Sequence, residues 1–209
     1  MDNKLLEILN TKQNLIFDFD GTIADNEYFH FLTHKEILAK YGYDLTEEIF
    51  IKCIVHNNPN DIQKNLENYY NTKFENANEY EQDYYKIYSK NIEGLKPFRY
   101  VLDIFKNFPD KNFVVLSNEQ EGVIKSHLEE WGFFNNFSRI VSCNRSFSKE
   151  YVFENFEEFF GFSPQDSVMF EDSAKNLSLA KNAGLTTVGV EHLFNKNKLI
   201  ADYIIEYEK

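Results

Sequence analysis

Cysteine is nearly absent: Cys53 and Cys143 are the two in a chain of 209 residues. Two cysteines so far apart do not make a disulfide framework, and no C-x-x-C pair offers metal-ligand spacing. The expectation is two reduced thiols and, with them, a cytoplasmic protein. Positive charge is also scarce. Lys and Arg total 22 against 34 Asp and Glu, for a net charge of −12. That balance argues against nonspecific nucleic-acid binding, which depends on cations neutralising phosphates; ordinary solubility accounts for the excess of acid. No apolar run is long enough to span a membrane. The opening segment, Met1 to Asn14, mixes polar and apolar residues without the long apolar core of a secretion signal. Internal repeats are missing too.

What is present is a globular composition, 43% hydrophobic, in a chain long enough for one well-buried domain or one domain carrying an insertion. Short apolar runs stand out at Asn14 to Phe19, Asn112 to Leu116, Ser167 to Phe170 and Thr186 to Val190, with weaker ones at Arg139 to Ser142 and Tyr203 to Ile205. Continuous runs of this length suit strands buried on both faces of a parallel sheet. The segments between them carry helical spacing. Gln120 to Trp131 has Val123, Ile124, His127, Leu128 and Trp131 and then Gly132 as a stop; Lys149 to Phe160 has Val152, Phe153 and Phe156; Ala174 to Ala183 ends at Gly184. Strand and helix in alternation predict a doubly wound, Rossmann-like α/β domain.

One stretch breaks the alternation. From 26 to 93 no run is strand-like, while Tyr28 to Tyr41, Glu47 to Val55, Asp61 to Tyr70 and Glu79 to Tyr88 read as helices separated by Gly42, Asn57-Asn58-Pro59 and Asn71. The expectation is a small helical domain at 26–93 inserted into an α/β core formed by 1–25 and 94–209. Gly94 and Pro97 mark the return.

Three of the apolar runs end in polar residues, and ligands of an open parallel sheet bind at the carboxyl ends of its strands. Asp18 and Asp20, Ser117 and Asn118, and Glu171 and Asp172 therefore fall along one rim. Four carboxylates converging there would repel one another without a cation. Oxygen donors with no His or Cys favour magnesium, which also pairs with phosphate oxygens.

At these residues the chain resembles the haloacid dehalogenase superfamily. Asp18-Phe19-Asp20-Gly21-Thr22 is similar to its first motif, Leu116-Ser117-Asn118 to its second, Lys149 to its third, and Phe170-Glu171-Asp172-Ser173 with Asn176 to its acidic fourth. Four motifs in order, each in the right strand context, make a specific signal. The third motif is often Lys-Pro; here Glu150 follows Lys149, and Arg145 is the alternative cation.

The resemblance implies a phosphate-ester hydrolase. Asp18 would attack phosphorus and form an aspartyl-phosphate, dividing one displacement into two. Asp20 would protonate the leaving alkoxide and then take a proton from the attacking water. Ser117, Asn118, Lys149 and the amides of Phe19 and Asp20 would hold the phosphoryl oxygens. Magnesium would be held by Asp18, the carbonyl of Asp20 and Asp172, with Glu171 as a further ligand. Dehalogenases proper lack an acid at the position of Asp20, so halide displacement is excluded on chemical grounds.

The place of the insertion resembles the helical cap of the branch that holds β-phosphoglucomutase and phosphoglycolate phosphatase. Asp25-Asn26-Glu27-Tyr28-Phe29-His30 is similar to the D-S/T-E-x-x-H opening of such caps, and Pro97-Phe98 to the return hinge. A cap would exclude water and carry substrate contacts. His30, with His56, Asn57 and Asn58 at a turn, are its candidates, each set against ordinary packing or an ordinary exposed turn. The expectation is a monomeric phosphatase of a small phosphorylated metabolite, such as a sugar, sugar-alcohol or other alcohol phosphate, without nucleic-acid or membrane partners. The alternative is a phosphomutase using the same aspartates. Two readings come from other classes: a noncatalytic binding protein, disfavoured by the intact set of Asp18, Asp20, Ser117, Lys149 and Asp172, and a signalling domain with a long-lived aspartyl-phosphate, disfavoured because Asp20 predicts rapid hydrolysis.

Overall fold

The computed structural model describes residues 1–57, 59–73, 77–143 and 147–207. The chain divides into two compact units, one of Met1–Asp25 with Lys96–Lys209 and one of Asn26–Leu95. In the first unit, α1 (Asn3–Thr11) and β1 (Asn14–Phe17) precede the second unit, whose helices are α2 (Glu27–Lys40), α3 (Glu47–Cys53), α4 (Pro59–Tyr70) and α5 (Ala77–Asn91). The first unit resumes with α6 (Arg99–Asn107), β2 (Asn112–Ser117), α7 (Glu121–Glu130), β3 (Phe137–Ser142), α8 (Lys149–Glu154), α9 (Phe156–Phe160), β4 (Ser167–Glu171), α10 (Ala174–Asn182), β5 (Thr186–Val190) and β6 (Tyr203–Ile205). Among the described residues no helix is long and apolar enough to cross a membrane.

The six strands form one parallel sheet in the order β3-β2-β1-β4-β5-β6. Chain order reverses beside β1, the switch point at which such sheets open a crevice at their carboxyl edge. Alternation along the strands assigns the two faces. Ile16 pairs with Val114 on one side and Met169 on the other; these residues share a cluster with Val152, Phe153 and Phe156 of α8 and α9 and Ala180 of α10. Phe17 shares the opposite face with Phe170, their rings stacked at 4.4 Å, and Phe105 of α6 packs edge-on against Phe113 at 4.8 Å. Helices thus cover both faces, which is why β1, β4 and β5 read as unbroken apolar runs rather than alternating ones.

Several boundaries differ from expectation. The first strand stops at Phe17, two residues early, because the chain turns at Asp18 to begin a loop. The single helix expected over Lys149 to Phe160 is two, broken at Asn155 (φ −116°, ψ 34°), whose side chain donates to the carbonyl of Tyr151 at 2.9 Å. Such local bonding competes with the helical ladder. Helices α1 and α6 are additional. In α1, the carboxylate of Asp2 caps the amide of Leu5 at 3.0 Å.

The chain leaves and re-enters the first unit through an antiparallel clasp. Ala24 bridges Pro97, the amide of Phe98 donates to the carbonyl of Ile23 at 2.9 Å, and that of Asp25 to Lys96 at 3.3 Å.

In the second unit, α2 and α5 meet through a His–Tyr ladder. Nδ1 of His30 lies 2.5 Å from the hydroxyl of Tyr84, and Nε2 is 3.4 Å from that of Tyr88. One turn on, Nδ1 of His34 lies 2.6 Å from the hydroxyl of Tyr80. Positions i and i+4 stack along one helix face, so His30 and His34 meet the tyrosines in register. Burial, and secondarily the charge of His30, depresses the pKa of His34 from 6.5 to about 3. The unfolded chain therefore takes up a proton near pH 6.5 that the folded chain refuses until about pH 3. Stability from this group is complete above pH 6.5 and falls as the pH drops toward 3. At pH 5 the loss is about 2 kcal/mol. Urea unfolding at pH 7 and pH 5 should show that difference shrinking by about 2 kcal/mol in His34→Gln; an unchanged difference would refute the assignment.

Candidate active site

The site starts from Asp18, the residue after β1. Its amide still donates to the carbonyl of Phe170 at 3.0 Å, so the ladder holds it beside the end of β4. By alternation Asp18 continues the face of Ile16, and Glu171 continues that of Met169, Ile16's partner. The same face carries α8, whose first residue is Lys149. The hydroxyl of Ser148 caps the amide of Tyr151 at 3.2 Å and starts that helix. The Lys149 ammonium lies 2.7 Å from Oδ2 of Asp18 and 2.8 Å from Oε2 of Glu171. A lysine in a helix's first turn opposes the macrodipole, and this one is only 3% exposed. The two carboxylates hold it there.

Carboxylate oxygens of Asp18, Glu171 and Asp172 all lie within 4.8 Å of one another, and all three residues are buried. Burial raises the Asp18 carboxyl; Lys149 pulls it down and Asp172 pushes it up, leaving it raised. Burial and then Asp18 hold Glu171 well above the usual carboxylate range. For Lys149, burial disfavours the ammonium but Asp18 and Glu171 outweigh it, and its pKa is raised. One ammonium among three carboxylates leaves the cluster short of positive charge.

Other residues singled out by sequence gather near this rim. The amide of Phe19 donates to Oδ1 of Asp18 at 2.7 Å. Its ring packs against His127 of α7 and Trp131, the residue that ends that helix, at 6.0 and 6.1 Å, and those two rings lie 5.4 Å from each other. Ser117, buried at the end of β2, accepts at Oγ from the amide of Glu119 at 3.1 Å, and its carbonyl accepts from the amide of Cys143 at 2.7 Å. Its hydroxyl proton is left to donate. Asn118 follows on the exposed edge. Asp20 is half-buried and bridged to Ala24; it is not one of the three acids whose oxygens lie within 4.8 Å of one another, but its charge also raises the Asp18 carboxyl. Gly21 has φ +65°, and a Cβ there would collide with the carboxylate of Asp172. Only glycine lets the turn lie so close.

His30, His56 and Asn57 belong to the second unit. Both ring nitrogens of His30 face tyrosine hydroxyls. His56 adopts φ 59° in the turn after α3 and is exposed, and the side-chain amide of Asn57 donates to the carbonyl of Val55 at 3.2 Å. Asn58 and Arg145 lie outside the described residues. Cys53 and Cys143 are free thiols, both buried.

Three residues of the site escaped the sequence reading. The hydroxyl of Tyr100 donates to the carbonyl of Thr22 at 2.8 Å. Burial, then the charges of Asp172 and Asp18, hold its phenol well above the ordinary value. Nε2 of His192 lies 3.1 Å from Oδ2 of Asp172, and the side-chain amide of Asn195 donates to the Asp172 carbonyl at 2.8 Å. A signal for His192 was available: it follows β5, and polar residues at strand ends are what marked the other positions.

Comparison with known proteins agrees with this geometry. A family profile described as haloacid dehalogenase-like hydrolase matches residues 15–190. YhcW of Bacillus subtilis, named as a candidate phosphatase, is 28% identical over 198 residues, covering 90% of this chain and 88% of that protein. A phosphorylated carbohydrates phosphatase of Thermotoga maritima is 23% identical over 202 residues, covering 90% and 89%. The solved haloacid dehalogenase-like family protein SP0104 from Streptococcus pneumoniae superposes with a TM-score of 0.75 at 14% identity, covering 93% of this chain and 94% of that one. The sheet order, the carboxylates at its switch point and the profile that spans β1 through β5 lead to one assignment: this chain belongs to the haloacid dehalogenase-like hydrolase family.

Proposed function

We propose that the protein is a magnesium-dependent phosphatase of small phosphorylated metabolites, acting through an aspartyl-phosphate on Asp18. The observation that carries the reading is the buried trio of Asp18, Glu171 and Asp172 with the Lys149 ammonium set between the first two.

The donor set suits magnesium: hard carboxylate oxygens, buried and short of positive charge. Asp18 and Asp172, with the Asp20 carbonyl, would hold the ion. Both oxygens of Glu171 already accept, Oε2 from Lys149 and Oε1 from the amide of Ser173 at 3.1 Å, which favours a role in fixing Lys149 over direct ligation. When bound, the ion supplies positive charge beside the phosphoryl oxygens and orients the ester.

The chain's own groups do the rest. Asp18 attacks phosphorus in line, and the P–O bond to the alcohol breaks as Asp20 gives the departing oxygen a proton. Asp20, now a carboxylate, takes a proton from water, which attacks phosphorus and releases Asp18 and inorganic phosphate. Lys149 offsets charge on the transferring oxygens, and Ser117 donates a hydrogen bond to one of them. The second unit acts as a cap, excluding water and contacting the substrate. The Thermotoga relative's name favours a sugar or sugar-alcohol phosphate. With both ring nitrogens of His30 set against tyrosines, that residue lends the phosphomutase alternative no specific support.

The deciding experiment is phosphate release from a panel of small phosphate esters, with magnesium and with chelator. Wild type should release phosphate from a few related esters only with the metal, and Asp18→Asn should lower the rate by at least about a thousandfold. Release that survives Asp18→Asn would exclude the covalent route; turnover only with a bisphosphate activator would indicate the mutase. Asp20→Asn should reduce kcat by about 10²- to 10⁴-fold, the usual share of a general acid–base group, as read in the steady state; a change in KM alone would remove it from that role. Lys149→Met leaves two buried carboxylates without their cation, so it should destabilise the fold by about 3–5 kcal/mol in chelator, as measured by urea unfolding. A loss below 1 kcal/mol would mean that the pair contributes little.

A further inference from the structure

We infer that His192 and Asn195 are positioning residues for Asp172, gripping its side chain and its backbone so that its carboxylate is already aimed at the cation. The inference rests on the proposal that Asp172 binds a divalent ion. The observations lie in the turn after β5. The side-chain oxygen of Asn195 accepts from the amide of His192 at 2.7 Å. Its Nδ2 donates to the carbonyls of Asp172 at 2.8 Å and Val190 at 3.0 Å. One amide side chain therefore ties the end of β4 to the end of β5.

Held this way, His192 directs Nε2 at Oδ2 of Asp172, 3.1 Å away, while its Nδ1 accepts from the amide of Phe194 at 3.2 Å. An imidazole nitrogen that accepts an N–H carries no proton of its own. The ring proton is thus on Nε2, pointing at the carboxylate. The backbone of Phe194 selects the tautomer that orients Asp172. His192, Asn195 and Asp172 are all buried, at 1%, 2% and 3% exposure. Gly21 closes over the arrangement: a Cβ there would meet Asp172 and come within 3.3 Å of Cδ2 of His192. Three segments interlock around one carboxylate.

A buried histidine with both nitrogens satisfied is most often a packing residue. This one spends its single N–H on an acid of the trio, the arrangement by which outer residues orient the ligands of an ion. Substitution should therefore change ion affinity, and a residue that restores the N–H should restore it.

The test measures manganese binding in the absence of substrate, by the electron paramagnetic resonance signal of free Mn²⁺, for wild type, Asp172→Asn, His192→Leu and His192→Gln. Wild type should bind, and Asp172→Asn should lose binding. His192→Leu should weaken it about 10- to 100-fold, the usual effect of removing such a partner. His192→Gln, whose amide N–H replaces the Nε2 donor, should stay within about threefold of wild type by the same reasoning. Circular dichroism checks folding. Should His192→Leu not fold, ¹⁵N spectra of the wild-type imidazoles decide: a proton on Nε2 of His192, with a resonance that moves on adding Mg²⁺, supports the inference, and a proton on Nδ1 or an unmoved signal overturns it. Binding by His192→Leu equal to wild type, while Asp172→Asn has lost it, overturns the positioning role and leaves the metal reading intact. A wild type that binds no Mn²⁺ overturns both.

Discussion

The bridge from Lys149 to Asp18 and Glu171 is the interaction on which the site depends. Each of its members is in an unfavourable place alone. The lysine is buried at the wrong end of a helix dipole, and the acids are buried at the ends of central strands. Together they satisfy much of one another's charge, and they join α8 to β1 and β4. The proposed magnesium site rests on the surplus negative charge that remains.

Sheet topology explains why these groups meet. Asp18 and Glu171 are far apart in sequence, yet parallel pairing of β1 with β4 aligns them at one edge on one face. Asp172, one residue on, points by alternation toward the other face, where Tyr100 stacks on Phe170 at 6.1 Å. The two adjacent acids thus draw on different surroundings, Glu171 on the lysine and Asp172 on His192.

Much of this was legible in the sequence because buried parallel strands write themselves as apolar runs ending in polar residues. Thr186 to Val190 and Tyr203 to Ile205 match the observed strands residue for residue. Helix α1 went unread although Leu5, Ile8 and Leu9 follow Asp2 at helical spacing, and α6 although Val101, Ile104 and Phe105 do the same. Both lie beside stronger signals, the first strand and the Pro97 hinge. The break at Asn155 was hidden because the apolar spacing runs straight through it; only the side-chain bond to Tyr151 reveals it. His192 and Asn195 were unreadable as a pair, since their purpose is set by a carboxylate brought beside them by strand pairing.

The clasp between Ala24 and Pro97 has a consequence for how such a chain can change over time. By fastening the two ends of the excursion side by side, it makes the α/β unit indifferent to what lies between them. The entropy of closing a loop grows only with the logarithm of its length, so a short turn or an entire helical bundle at 26–95 would strain β1 and α6 to a similar degree. The buried carboxylates of Asp18, Glu171 and Asp172 sit on the pinned side of that clasp. Selection can therefore rebuild the helical segment freely while the edge that holds Asp18 stays as it is.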